Sequence, residues 1–320
     1  MVLVAALNAC TLAGGDTQNG NAAAVRVGFM YDVHAANVWT LDQCSSDEVA
    51  VELTSFKQFA EIQRALEQGQ IDVGMMGYQN MAQMLDNGYE DFRAVAGVYT
   101  GGEHISIRAG SGITDWADLR GKKVGVPPNS FVEMLLRSSL REAGVSIDDI
   151  ELVPFAGAGP PMQTALRNGE IDAMVAWEPN AATVDVDGYG EYADFNIQDG
   201  AIGDATSLLY ASETLLADQQ GAVDEVVRCL RERTEALSAD VEQWVTALTE
   251  HTGLPENVAR TAIETGEMDI KLYQDSAERI ITEFAENGLV EDTSGRVAEF
   301  FDYSSLQRVT GLDRAELGAK

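Results

Sequence analysis

One phrase occurs twice in this sequence. ALEQGQIDVGMMGYQN begins at Ala65 and ALRNGEIDAMVAWEPN at Ala165, and both follow the frame A-L-x-x-G-x-I-D, then an apolar run and a closing Asn. Each copy reads as the end of an amphipathic helix, a glycine stop, a strand apolar on both sides and the mouth of the next helix. Strands of that kind, each followed by a helix, belong to parallel sheets covered on both faces. Two copies therefore predict two α/β lobes.

The flanking sequence extends each lobe. VRVGFMY (Val25 to Tyr31), VAVELTSF (Val49 to Phe56), IDVGMMG (Ile71 to Gly77) and FRAVAGVY (Phe92 to Tyr99) read as strands, rich in Val and Ile and bounded by turn residues. Between them Phe56, Phe59, Ile62 and Leu66 share a helix face that stops at Gly69, and Met81, Met84 and Leu85 do the same before Gly88. After Arg108 the series restarts with KVGVP, a helix from Phe131 to Gly144, IELVPF, a helix from Pro161 to Gly169, and IDAMVAW. From Ser212 onward the pattern is helical, with Val223, Val226, Val227 and Leu230 at helical spacing and Pro255 placed as a first-turn proline. These last helices are expected on the first lobe. ISIRAG (Ile105 to Gly110) and SLLYAS (Ser207 to Ser212) then become the two crossovers of a hinge. Lobe one is residues 25–107 plus 208–320, and lobe two is 108–207. Arg108 would lie in the hinge, reaching an anionic ligand or pairing with a carboxylate; the excess of acid favours the pairing.

Charge narrows the function. Against 52 acidic residues stand 21 basic ones, a formal −31, which repels nucleic acid and anionic headgroups and excludes them as partners. Dense carboxylates also suit adaptation to high salt. The first residues, MVLVAALNAC, form an apolar run ending in L-N-A-C, similar to a lipobox, with Cys10 the residue that would carry lipid; TLAGGDTQNGNAAA then reads as a flexible tether, so 1–24 stands outside the fold. No other stretch approaches the ~20 apolar residues of a membrane span. Cys44 and Cys229 are either a disulfide pair or two buried thiols, and their scattered positions favour thiols.

In open parallel sheets ligands gather beyond the carboxyl ends of the strands. That rule nominates Tyr31, with His34 and Asn37 just past it, then Tyr78, Gln79, Tyr99 and Thr100 in the first lobe. In the second it nominates Asn129, Ser130, Phe131, Trp177 and Glu178. Asn, Ser and Thr at such places cap helices as readily as they bind ligand. The aromatic rings suit a planar or compact organic molecule better than a hydrated ion. Glu178 could accept from an amine or ring N–H, or simply stabilise a first helical turn. A sulfonate would instead use amides at a helix mouth such as Ser130 and Phe131. The residues lean to a nitrogen-bearing ligand over a sulfonate.

The phrases DLRGKKVGVPPNSFVEMLLRSSLREAGV and ALRNGEIDAMVAWEPNA, with FFDYSSLQRV near the end, resemble solute-binding proteins of ABC importers in the taurine, sulfonate, nitrate and thiamine-pyrimidine group. The resemblance runs from about Val25 to about Leu215. It implies a two-lobed α/β fold of the type II periplasmic-binding-protein kind, a monomer that closes on a small molecule and delivers it to a membrane permease, with no cofactor. A lipid tether at Cys10 would agree with that location. Enzymes of the same fold, in menaquinone and thiamine-pyrimidine synthesis, are the rival, and a cytoplasmic ligand sensor is a third reading. The cysteine-rich motif of the pyrimidine synthases is absent from the sequence. His34, His104 and His251 have no metal-ligand spacing, and no P-loop or G-x-S-x-G phrase occurs. AGAGPP (Ala156 to Pro161) lacks the full dinucleotide fingerprint and reads as a turn into a proline-started helix.

Overall fold

A computed structural model describes residues 23–320 apart from Asp47, Asp199, Ala201 and Asp204. Cys10 and the lipobox-like phrase lie outside the described residues.

The chain begins with strand β1 (Ala23–Met30), β2 (Val49–Phe56), helix α1 (Phe59–Glu67), β3 (Val73–Gly77), α2 (Gln79–Asp86) and β4 (Phe92–Gly101). It continues through β5 (Glu103–Arg108), β6 (Lys123–Val126), α3 (Phe131–Glu142), β7 (Glu151–Pro154), α4 (Pro160–Asn168), β8 (Ala173–Trp177), α5 (Asn180–Val186) and β9 (Gly190–Tyr192). Strand β10 (Ala205–Ser212) precedes α6 (Glu213–Asp218), α7 (Gln220–Ala239), α8 (Val241–Thr252) and α9 (Glu256–Ile263). A short β11 (Gly266–Glu267), α10 (Gln274–Glu286) and α11 (Ser304–Thr310) complete it.

The strands form two sheets, one in the order β11-β4-β10-β3-β1-β2 and one in the order β7-β6-β8-β5-β9. Each has a parallel trio, β2-β1-β3 or β7-β6-β8, beside one antiparallel strand on which the chain arrives from the other sheet. That strand is β10 in the first sheet and β5 in the second. The hinge expected from sequence is therefore displaced. Ile105 to Gly110 overlaps β5, paired inside the second sheet with β8, and Ser207 to Ser212 belongs to β10, an inner strand of the first. The chain actually passes between sheets at Gly101–Gly102 and again between β9 and β10. Both glycines have positive φ, 84° and 88°, a region that side chains with a Cβ rarely adopt. The reversal depends on that freedom, because the Gly102 amide donates to Thr265 and its carbonyl accepts from the Glu178 amide.

The doubled phrase has a shared physical basis. Asp72 Oδ2 accepts the Arg26 amide at 2.9 Å and Asp172 Oδ2 accepts the Lys123 amide at 3.1 Å. The two Asp amides return hydrogen bonds to the carbonyls of those same partners. Gln63 pairs with the closing Asn80, and Gln163 with Asn180, across the helix-to-helix gap. Gly69 and Gly169, at φ 64° and 74°, stop the preceding helices. Each copy thus fixes a strand laterally at its entry and anchors the next helix at its exit. Asp72→Ala is expected to cost about 2 kcal/mol, mostly from the stranded Arg26 amide rather than the half-exposed ion pair. A urea midpoint unchanged from wild type would contradict this role. Arg108 pairs with Asp172 at 3.2 Å, the second of its two readings.

The helices after β10 pack largely on the first sheet, α7 against β2 and β4 and α11 against β4. They also touch the second: α9 meets α5, and Arg141 of α3 pairs with the buried Glu283 of α10 at 2.6 Å. Cys44 and Cys229 form a disulfide, which corrects the expectation of two thiols. Sequence spacing could not reveal it, because 185 residues separate cysteines that folding brings to a Cα distance of 5.8 Å.

Candidate functional site

A cavity of about 490 Å³ opens where the carboxyl ends of the two parallel trios meet. From the first sheet come Met30 and Asp32 at the end of β1, Lys57 to Phe59 after β2, and Gln79 and Gln83 on α2. From the second come Asn129 to Val132 at the mouth of α3, Ala156 and Gly157 after β7, and Trp177 at the end of β8. His34 lines it as well, and Glu103 and Thr206 at the starts of β5 and β10 add residues from both connections.

Of the residues nominated by sequence, the structure brings His34, Gln79, Asn129, Ser130, Phe131 and Trp177 together on this cavity. The other nominees lie elsewhere. Tyr31 points outward, 45% exposed, and stacks on His251 at 5.3 Å. Asn37 is buried, its Nδ2 donating to the Val98 carbonyl and to Thr234. Tyr78 is buried, and its hydroxyl accepts from the Tyr273 amide at 3.1 Å. Tyr99 lies under His34, ring against ring at 4.8 Å. Thr100 borders a different hollow, with Gly101, Glu264 and Glu267.

Glu178 also departs from its expected place. Trp177 closes β8 and reaches the cavity, whereas Glu178 is the first residue past the strand and its side chain lies off the cavity. There it is fully buried, accepting from the Tyr192 hydroxyl at 2.5 Å and from the Ala182 amide at 2.9 Å. Thr265, beside β11, donates to it at 3.4 Å. Burial pushes the Glu178 carboxyl up to about 7, against these hydrogen bonds. His104 lies 3.9 Å away, but burial lowers it to about 4, so the contact is not an ion pair near neutral pH. A carboxyl raised in the fold gives its full stability below its unfolded value of 4.5 and loses it as pH rises towards 7. Glu178→Gln is therefore expected to gain on wild type by up to about 3 kcal/mol between about pH 5 and pH 8. A difference that stays flat with pH, read from paired denaturation curves, would contradict this.

The cavity lining is part acidic and part apolar. Asp32 Oδ1, His34 Nε2 and Gln79 Oε1 are buried without a hydrogen-bond partner. Burial pushes the Asp32 carboxyl up to about 7 and the His34 imidazole down to about 3, leaving the histidine neutral. Glu103 is buried and accepts from Gln198 at 2.7 Å and Thr206 at 3.1 Å, binding the two inter-sheet connections to each other. At the mouth of α3, Ser130 Oγ accepts the Glu133 amide, and the Glu133 carboxylate accepts the Asn129 amide at 2.6 Å. The protein thus caps part of that helix mouth itself. Met30, Phe59, Phe131 and Trp177 supply flat or flexible apolar surface. The arrangement can enclose a small organic molecule and present hydrogen-bond acceptors to it. Among the described residues no cluster of His, Cys, Asp and Glu is placed to hold a metal.

A family model described as NMT1/THI5 like matches residues 45–244, more than half the chain. The chain belongs to the NMT1/THI5-like family. A Brucella abortus protein classed as a binding protein is 31% identical over 146 residues, which is 43% of either sequence, so the chain spans less than half the length of that relative. The structure matches the periplasmic aliphatic sulphonate binding protein of Escherichia coli with a TM-score of 0.75 at 22% identity, covering 87% of this chain and 97% of that one. It matches the nitrate-binding protein of Synechocystis with a TM-score of 0.73 at 13% identity, covering 91% and 89%. The desulfurization enzyme DSZB matches too, at TM-score 0.65 and 14% identity, covering 90% and 99%. The family's type II periplasmic-binding-protein architecture is the one this chain adopts.

The same strand-end rule that found Gln79 and Trp177 also reaches Asp32, Lys57, Gln58, Ala156 and Gly157, which the preference for aromatic residues passes over, and Phe59, which reads as part of the apolar face of its helix. Glu103 and Thr206 carried no such signal, since their strands enter each sheet from the other part of the chain.

Proposed function

We propose that this protein is the extracytoplasmic solute-binding component of an ABC importer, closing on a small organic nutrient of ring, amine or sulfonate type and delivering it to a membrane permease. The observation that carries this reading is a ligand-sized cavity lined from both sheets, with Glu103 and Thr206 beside the two connections in its lining. Closure would turn on Gly101–Gly102 and the segment between β9 and β10, with the helices after β10 moving with the first sheet. The disulfide is in keeping with an oxidising compartment. A monomer, tethered by lipid at Cys10, completes the proposal.

An enzyme is the second reading, favoured by the likeness to a desulfurization enzyme. Against it, burial holds the cavity histidine at about 3, too weakly basic to take up a proton near neutral pH, and the described lining residues include no cysteine. A thermal-shift screen against taurine, alkanesulfonates, nitrate, pyrimidines, riboflavin and polyamines tests the proposal. A ligand at a hundred times its Kd stabilises by about 2.7 kcal/mol. Recovery of that ligand unchanged supports binding and transport; its turnover would overturn them.

A further inference from the structure

We infer that the ligand carries a protonated nitrogen, an ammonium or amidinium on a compact or planar frame, lodged against Asp32 with the frame against Phe59, Phe131 and Trp177. This rests on the solute-binding reading above and names the ligand class within it.

The charge inventory carries the inference. Asp32 and Glu103 line the cavity, while Lys57, exposed, is the one Lys or Arg among the described lining residues. The His34 amide offsets the burial of the Asp32 carboxylate only in part, and unsatisfied buried polar atoms in a native fold call for a partner. Asp32 Oδ1 and Gln79 Oε1 are two such atoms, and both are acceptors. A donor-rich cation satisfies both, and aromatic faces favour a cation beside them. An anion would meet two carboxylates and a helix mouth that Glu133 and Ser130 already cap in part. A sulfonate is better served by arginines turned inward beside such amides, and no arginine is among the described lining residues.

The titration of Asp32 supplies an independent readout. His34, Glu103 and Lys57 share its cavity, and Tyr99 lies under His34. With the Asp32 carboxyl at about 7 in the empty cavity, a bound cation favours its ionised form. Affinity is then highest above that pH and about tenfold weaker at pH 6 than at pH 8.

Calorimetric titration of the full chain with benzamidine and benzylamine, beside benzenesulfonate, tests this. The expected result is that the two cations bind, with the pH dependence just given, and that benzenesulfonate does not. Asp32→Asn should weaken the cations at least about tenfold. Should that variant fail to fold, the wild-type pH profile still decides. Silence of both cations at millimolar concentration, an unweakened Asp32→Asn, or affinity that rises as pH falls would each overturn the inference. Binding of benzenesulfonate that disappears in Trp177→Ala would overturn it while leaving the solute-binding reading intact.

Discussion

Tyr78→Ala is expected to lower the stability of the fold by about 3–5 kcal/mol, the range for deleting a buried aromatic side chain. Tyr78 follows β3 at the start of α2, and it is 1% exposed. Its ring lies 6.5 Å from that of Phe301, and its hydroxyl accepts from the Tyr273 amide. It thus joins the first sheet to the segment that leads into α10. Truncation would open a cavity there and remove the acceptor from the Tyr273 amide. Tyr78→Phe keeps the ring and should cost only about 1 kcal/mol. Urea denaturation of the two variants separates packing from hydrogen bonding. A Tyr78→Ala protein as stable as wild type but unable to bind ligand would restore the contact role that the sequence suggested.

Reduction of the Cys44–Cys229 disulfide should have the other large effect. The bond joins the turn before β2 to α7 and closes a loop across a separation of 185 residues, spanning the whole second sheet. Chain-entropy arguments put the stabilisation from so long a loop at about 3–5 kcal/mol. For a chain of this size that corresponds to roughly 2 °C per kcal/mol in melting temperature, so reductant should lower Tm by about 6–10 °C. Cys44→Ala with Cys229→Ala should match the reduced wild type. Identical melting with and without reductant would mean that the bond contributes nothing in solution.

These two cases mark where sequence reading reaches its limit. The repeated frame was legible because its function is local: Asp72 and Asp172 each fix a neighbouring strand, and Gly69 and Gly169 each stop a helix. The apolar runs of β2 and β6 were legible for the same reason. Pairing between distant segments has no such signature. Ile105–Gly110 and Ser207–Ser212 read as crossovers because nothing near them tells that the strands they belong to insert antiparallel into the sheets. The disulfide was hidden in the same way. At the site, the strand-end rule was sound, but choosing by aromatic character misplaced Tyr31, Tyr78 and Tyr99.

The account depends on a ligand held between the two sheets, so the most direct measurement uses one variant from each side. For a molecule that raises the wild-type melting temperature, binding should be measured by calorimetry in Gln79→Ala, on the first sheet's side of the cavity, and in Trp177→Ala, on the second's. The predicted result is that each variant folds and that each loses most of its affinity for the same molecule. If both keep wild-type affinity, the ligand does not bind in this cleft and the account fails.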